Sequence, residues 1–319
     1  MSEFSWSALP KTEQQFEAMM QAMDTLLTAE GLTPFQRPLH VGRKLWEAFR
    51  WSGPMLPDKR IADLPGYEGD VLIAKANRWY EQTYGDQLKG DFVYGFAPAR
   101  LGNSVWRVRA ALTYGRVRLF VDRNLQNKGN TFAGGAMAGE ASANILTSVD
   151  GLTQGVADRL PDSALHEHME FHLVMHEALQ WRDHLPNTEL LGMARHDYDE
   201  CTSAVLTRRY GQARWAAEQA VEKTLKGLLR IGRTAFPSGG KNGHSLAHVA
   251  QLLEDNHGIS LNSAMLALAE CSPAVRYGEQ PSTEAQALAA NHAVLGVLYQ
   301  LCRSGHAQAL LSTCQEPAK

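Results

Sequence analysis

Three histidines stand at four-residue steps in the stretch HEHMEFHLVMHEALQWRDH: His168, His172 and His176. Two imidazoles one helical turn apart can hold one divalent metal ion from a single helix face, which makes this stripe the metal candidate of the chain. Glu170, Glu177 and Asp183 lie nearby in sequence. Successive steps of four drift by about 40° around a helix, so one ion bound by all three rings would be strained. HExxH is absent, and with it the metalloprotease signature. The competing reading is a solvated histidine face that titrates near neutral pH.

A second set is cationic. In SVWRVRAALTYGRVRLFVDRN, Arg107 and Arg109 alternate with Trp106, Val108 and Ala110, and Arg116 and Arg118 alternate with Val117, Leu119 and Val121. Two β-rich runs around Thr113-Tyr114-Gly115 predict a hairpin with all four arginines on one face. Guanidinium forks match phosphate geometry, so this face is a phosphate or nucleic-acid candidate. Otherwise it is a salt-bridged surface, with Asp122 and Glu140 as internal partners.

The third set is ARWAAEQAVEKTLKGLL. Ala217, Val221, Leu225 and Leu228 fall on one helical stripe, the buried face. Glu222, Lys223 and Lys226 cluster on the polar arc, with Glu218 at its edge and Trp215 beside Glu222. The expectation is that this Glu/Lys edge faces outward. As an i,i+4 pair in the favourable order, Glu222 and Lys226 are worth about 0.2–0.5 kcal/mol, which local stability alone would explain.

These residues must be positioned by a chain of 319 residues with 44% hydrophobic content and a net charge of -3. That suffices for a sizeable core, and the length suggests about two domains. There is no global basic footprint of a general nucleic-acid binder. The cysteines, Cys201, Cys271, Cys302 and Cys314, form no CxxC pair and read as reduced thiols. The N-terminal stretch has neither the basic start nor the apolar run of a signal peptide, and no segment approaches the roughly 18 apolar residues of a membrane span. A cytoplasmic protein with no membrane partner is expected.

Periodicity predicts helices at 11–30, with Phe16, Met19, Met20, Met23 and Leu26 inward, at 41–50 and at 71–84. The stretch 52–70, with three prolines and three glycines, reads as a loop. Trp46, Trp51, Trp79 and Trp106 are assigned to core packing. Residues 127–155 are small and Gly-rich and suggest a boundary. Their AGGAMAG run fits neither GxxxxGK[ST] nor GxGxxG. From 162 onward the pattern is almost wholly helical, at about 162–184, 189–208, 212–233, 244–257, 260–271 and 283–305. The fold expected is an α+β domain over 1–150 with a small antiparallel sheet, then an all-α antiparallel bundle over 160–319.

Within that bundle, AAEQAVEKTLKGLL followed by GHSLAHVAQLL resembles the HEPN family (higher eukaryotes and prokaryotes nucleotide-binding domains). The residues that carry the likeness are Ala220, Glu222, Lys223, Leu225, Lys226, Leu228 and Leu229, then His244, Ser245 and Leu246. Arg276-Tyr277 before a last helix, Glu284 to Leu301, is also family-like, and the resemblance covers about 190–305. It implies an antiparallel helical bundle, often dimeric, whose members either cleave RNA with an Arg and a His that have four to six residues between them or bind nucleotides and partner proteins. The ribonuclease spacing is missing where it should occur: His292 lies on the last helix, but the nearest preceding arginine is Arg276. Arg159 and His166 have suitable spacing, but they precede the family-like region and Pro161 lies between them.

The reading is therefore a HEPN-like nucleotide- or RNA-binding or protein-assembly module, leaning away from an enzyme. Lys223, Lys226 and Arg276 would neutralise phosphate and Tyr277 would stack. The alternative is a toxin- or defence-type RNA endonuclease with an atypical site, in which His244, Arg276 and His292 converge in space. A homo-oligomer through the last helix, with Leu295, Val297 and Leu298 near the contact, is a further expectation.

Overall fold

The computed structural model of the chain describes residues 6, 8–51, 53, 57–88, 92–112, 117–126, 141–237 and 243–312. The predicted turn at 113–115, Arg116, Glu140, the AGGAMAG run and Cys314 lie outside them. The chain forms two compact units, Met1–Asp91 and Phe92–Lys319.

The regular elements described in the first unit are all helical. They are α1 (Glu13–Ala29), α2 (Arg37–Phe49) and α3 (Gly69–Tyr84), with short 3-10 turns at Lys59–Asp63 and Gly85–Leu88. Thr12 caps α1 by accepting from the Gln15 N–H, and the chain turns at Gly31. Phe16, Met19, Met20, Met23 and Leu27 fill its inner face, so Leu27 rather than Leu26 completes the stripe. Val41, Leu45, Leu72, Ile73, Ala76 and Tyr80 close this core. Trp46, Trp51 and Trp79 pack partly buried around it.

The second unit opens with β1 (Val93–Leu101) and β2 (Ser104–Ala111), an antiparallel pair joined at Gly102-Asn103. Here the sequence reading is corrected. The strand β2 takes β1 as its partner, while β3 (Val117–Phe120) pairs in parallel with β4 (Ala141–Asn144). The sheet also belongs with the helices that follow it, not with an α+β domain over 1–150. Tyr94, Ala97, Ala99, Leu101, Val108 and Ala110 bury their side chains in the same core as those helices, which moves the division back to Asp91/Phe92.

After a one-turn α4 (Gln154–Ala157) come α5 (Asp162–His184), α6 (Glu189–Leu206), α7 (Tyr210–Ile231), α8 (Leu246–His257), α9 (Ser263–Ala269), α10 (Pro273–Arg276), α11 (Glu284–Arg303) and α12 (Gly305–Ser312). The longer helical predictions match to within three residues at each end. Thr188, Ser245, Asn262 and Thr283 cap the helices they precede, and Thr283 with Gln286 forms a capping box. Helix α7 is central: it packs on α6, α11 and α8. Its buried face is wider than the predicted stripe and includes Ala213, Ala216, Ala220, Leu225 and Leu229. Leu295, Val297 and Leu298 are buried in this core, so they supply no dimer surface. Among the described residues no helix is long and apolar enough to cross a membrane.

Candidate functional site

The polar arc of α7 does not face outward as expected. Glu222 and Lys226 are each only 7% exposed in their side chains and pair at 2.7 Å. The second carboxylate oxygen of Glu222 meets His244 Nδ1 at 3.1 Å. Lys223 turns the other way and pairs with Asp197 of α6 at 2.5 Å. The reason is packing: α6 and the segment entering α8 cover this flank, so the charges are matched within the chain. A buried ion pair of this kind contributes little net stability over an apolar pair. What it does fix is the ring of His244, whose side chain remains 61% exposed.

One turn back along α7, Glu218 is half-buried. Loss of hydration pushes its carboxyl up to about 7, with Glu222 and Glu270 adding repulsion and a hydrogen bond involving the Cys271 backbone opposing it. Cys271 is held up by the same desolvation and by Glu218, against Arg214 and Arg276. These groups form one electrostatic neighbourhood.

Beside it, the Arg276 guanidinium carbon sits 4.5 Å from the centre of the Trp215 ring and 5.5 Å from that of Tyr277. Trp215 is half-buried, while Arg276 and Tyr277 are exposed, Tyr277 to 72%. Two rings flanking a guanidinium present π faces and a cation together, the chemistry that stacks a base and meets its phosphate. Of the predicted ligand-binding residues on the helical bundle, Arg276 and Tyr277 are therefore the accessible ones. Glu222, Lys223 and Lys226 are instead taken up by pairs within the chain.

The histidine stripe is not a solvated face. His168 and His172 are each 3% exposed. Burial drives His168 down to about 4, and burial with the neighbouring rings drives His172 down to about 3. The rings follow each other at 6.0 and 6.3 Å between centres. His176 Nε2 donates instead to the Ala111 carbonyl at 2.9 Å. Among the described residues no group of three or more His, Cys, Asp or Glu side chains is placed to hold a metal ion. Four-residue spacing put the rings in a row, but hairpin and helix packing set them side by side rather than converging.

The arginines of β2 are committed within the chain. Arg109 pairs with Asp150 at 2.9 Å and donates to the Thr147 carbonyl, while Arg107 lies 3.5 Å from the centre of the Phe96 ring and 3.6 Å from Asp150. Asp150, which sequence reading did not name, is the acid between them. Arg118 is exposed on β3, away from the β1–β2 pair. His292 is also structural. Its Nε2 donates to the Pro98 carbonyl of β1 at 2.8 Å, its ring meets Phe171 in a tilted contact at 4.7 Å, and burial lowers its basicity. These contacts tie it to β1 and α5, and none of them involves His244 or Arg276. No family model matches this chain, and neither does any curated protein or solved structure.

Proposed function

We propose that the helical unit is a HEPN-like module that binds a nucleotide or single-stranded RNA on the Trp215–Arg276–Tyr277 face. The observation that carries this reading is the exposed guanidinium flanked by two aromatic rings. A base stacks on Tyr277, the Arg276 guanidinium meets the adjoining phosphate, and His244 and Glu218 offer polar contacts at the edge. Base-on-aromatic stacking is worth about 1–3 kcal/mol per base, so one platform supports weak binding of a mononucleotide and tighter binding of a strand. The test is fluorescence anisotropy with labelled single-stranded RNA, alongside calorimetry with a panel of nucleotides, on wild type, Arg276→Ala and Tyr277→Ala. Loss of binding in both variants supports the proposal. Absence of binding by wild type to every probe refutes it.

A second reading is favoured by one feature. Glu222 orients His244 from a buried position, and Glu218 beside it is held near neutrality. Such an acid–base pair suits an RNA endonuclease with an atypical site. Cleavage of RNA by wild type that His244→Ala abolishes would select it; no cleavage by wild type removes it.

A further inference from the structure

At the far end of α7 lies a cavity of about 550 Å³, lined by Arg230, Arg233, His257, Gly232, Thr188 and Leu310 among others. Arg230 is fifteen residues beyond Trp215, a rise of about 22 Å along the helix, so this is a different place from the aromatic platform. The cations here have little to do within the chain. Among the described residues Arg230 has the exposed Glu189 as its ion-pair partner, only at 3.9 Å, and it lies over Phe236. No ion pair involving Arg233 occurs among the described residues.

Helix-end stabilisation is the ordinary explanation for cations at a C-terminus. It is weakened here because the terminal carbonyls are already used. Leu228, Leu229 and Arg230 accept from the N–H groups of Gly232, Thr234 and Arg233. Thr188, the N-cap of α6, also lines the cavity.

The local backbone adds a second argument. A helix normally places glycine at its left-handed capping position, but here Gly232 has an ordinary φ and Arg233 takes the left-handed one, at 55°. Gly232 is held for another reason: a β-carbon there would come 2.3 Å from Cε1 and Nε2 of the His257 ring. Thr234 Oγ1 fixes that ring at 2.9 Å from Nε2. Arg50 and Arg208 also sit at left-handed positions, so the conformation alone marks nothing. Arg233 differs in lining a cavity with a second guanidinium and an imidazole.

We infer that this cavity is a binding site for a small phosphate-bearing molecule of about mononucleotide size, held by Arg230 and Arg233 with His257 at the wall. Two guanidiniums give forked donors for phosphate oxygens, and Ile231 and Leu310 offer apolar surface to the rest of the ligand. The inference stands independently of the aromatic platform.

Calorimetry on the full chain with inorganic phosphate, pyrophosphate and AMP tests it, comparing wild type, Arg233→Gly and Arg230→Ala. Arg233→Gly removes the guanidinium while suiting the left-handed backbone, so its thermal midpoint should stay level or rise. The expected result is binding of at least one probe by wild type, weakened about tenfold or more in Arg233→Gly and Arg230→Ala. No binding of any probe by wild type, or wild-type affinity in both arginine variants, overturns the inference.

Discussion

Glu222 receives His244 Nδ1 at 3.1 Å on one carboxylate oxygen and Lys226 Nζ at 2.7 Å on the other, from a side chain that is 7% exposed. This joins the two parts of the family-like sequence, the alanine-rich helix and the GHSL helix start, through one buried carboxylate. Removing that carboxylate alone strands the Lys226 ammonium in the core. Glu222→Ala should cost about 3–5 kcal/mol, read by urea denaturation, whereas Glu222→Met with Lys226→Leu should be close to neutral or stabilising.

The buried imidazoles make the chain acid-labile. His168 and His172 have folded-state values near 4 and 3 against 6.5 unfolded, so between those limits the unfolded chain binds more protons. Their contribution is complete above pH 6.5 and is lost as pH falls through 6.5 toward 4, by up to about 1.4 kcal/mol per pH unit for each ring. A stability–pH profile on His172→Phe should have a shallower acid limb than wild type. An identical limb would contradict the assignment.

Glu218 acts in the opposite direction. Its folded-state value near 7 exceeds the unfolded 4.5, so the folded chain holds the extra proton between them. Stability from this group is present below pH 4.5 and declines as pH rises through 7. Glu218→Gln should be more stable than wild type at pH 8, relative to pH 5, by thermal denaturation. The side chain is partly exposed, so the effect is smaller than its shift would suggest.

The hairpin is clamped by side chains from the helices. His292 donates to Pro98, Tyr198 to the Phe96 carbonyl at 3.1 Å, and Arg182 to Tyr94 at 3.0 Å. Gly95 is required for the last, since a β-carbon there would lie 2.7 Å from the Arg182 Nη2. Gly95→Ala and His292→Ala should each destabilise by about 1–3 kcal/mol by urea denaturation, without changing RNA affinity.

How much of this was legible beforehand depended on the range of the interaction. Helix positions followed from the 3.6-residue period and from caps such as Thr188 and Thr283, both local properties. Strand partners did not. The segment 104–111 has β-rich neighbours on both sides, and alternation cannot choose between Val93–Leu101 and Val117–Phe120. Likewise a helical wheel gave Glu222 and Lys226 a polar arc, but a single helix carries no sign that Asp197 and His244 would close over it. The Arg276–Tyr277 pair was singled out only through the family resemblance, and nothing in the sequence showed that Trp215 of α7 would lie against Arg276. The Arg230–Arg233–His257 cavity was not, because its members come together only when α7 and α8 pack and Arg233 takes a backbone conformation that sequence assigns to Gly232.

The central claim is that bases stack on the Trp215–Tyr277 face, and photo-crosslinking to 4-thiouridine RNA with mass-spectrometric mapping tests it most directly. Adducts are expected on Tyr277 or Trp215 and should disappear in Arg276→Ala. Adducts confined to other surfaces, or none at saturating RNA, would contradict it.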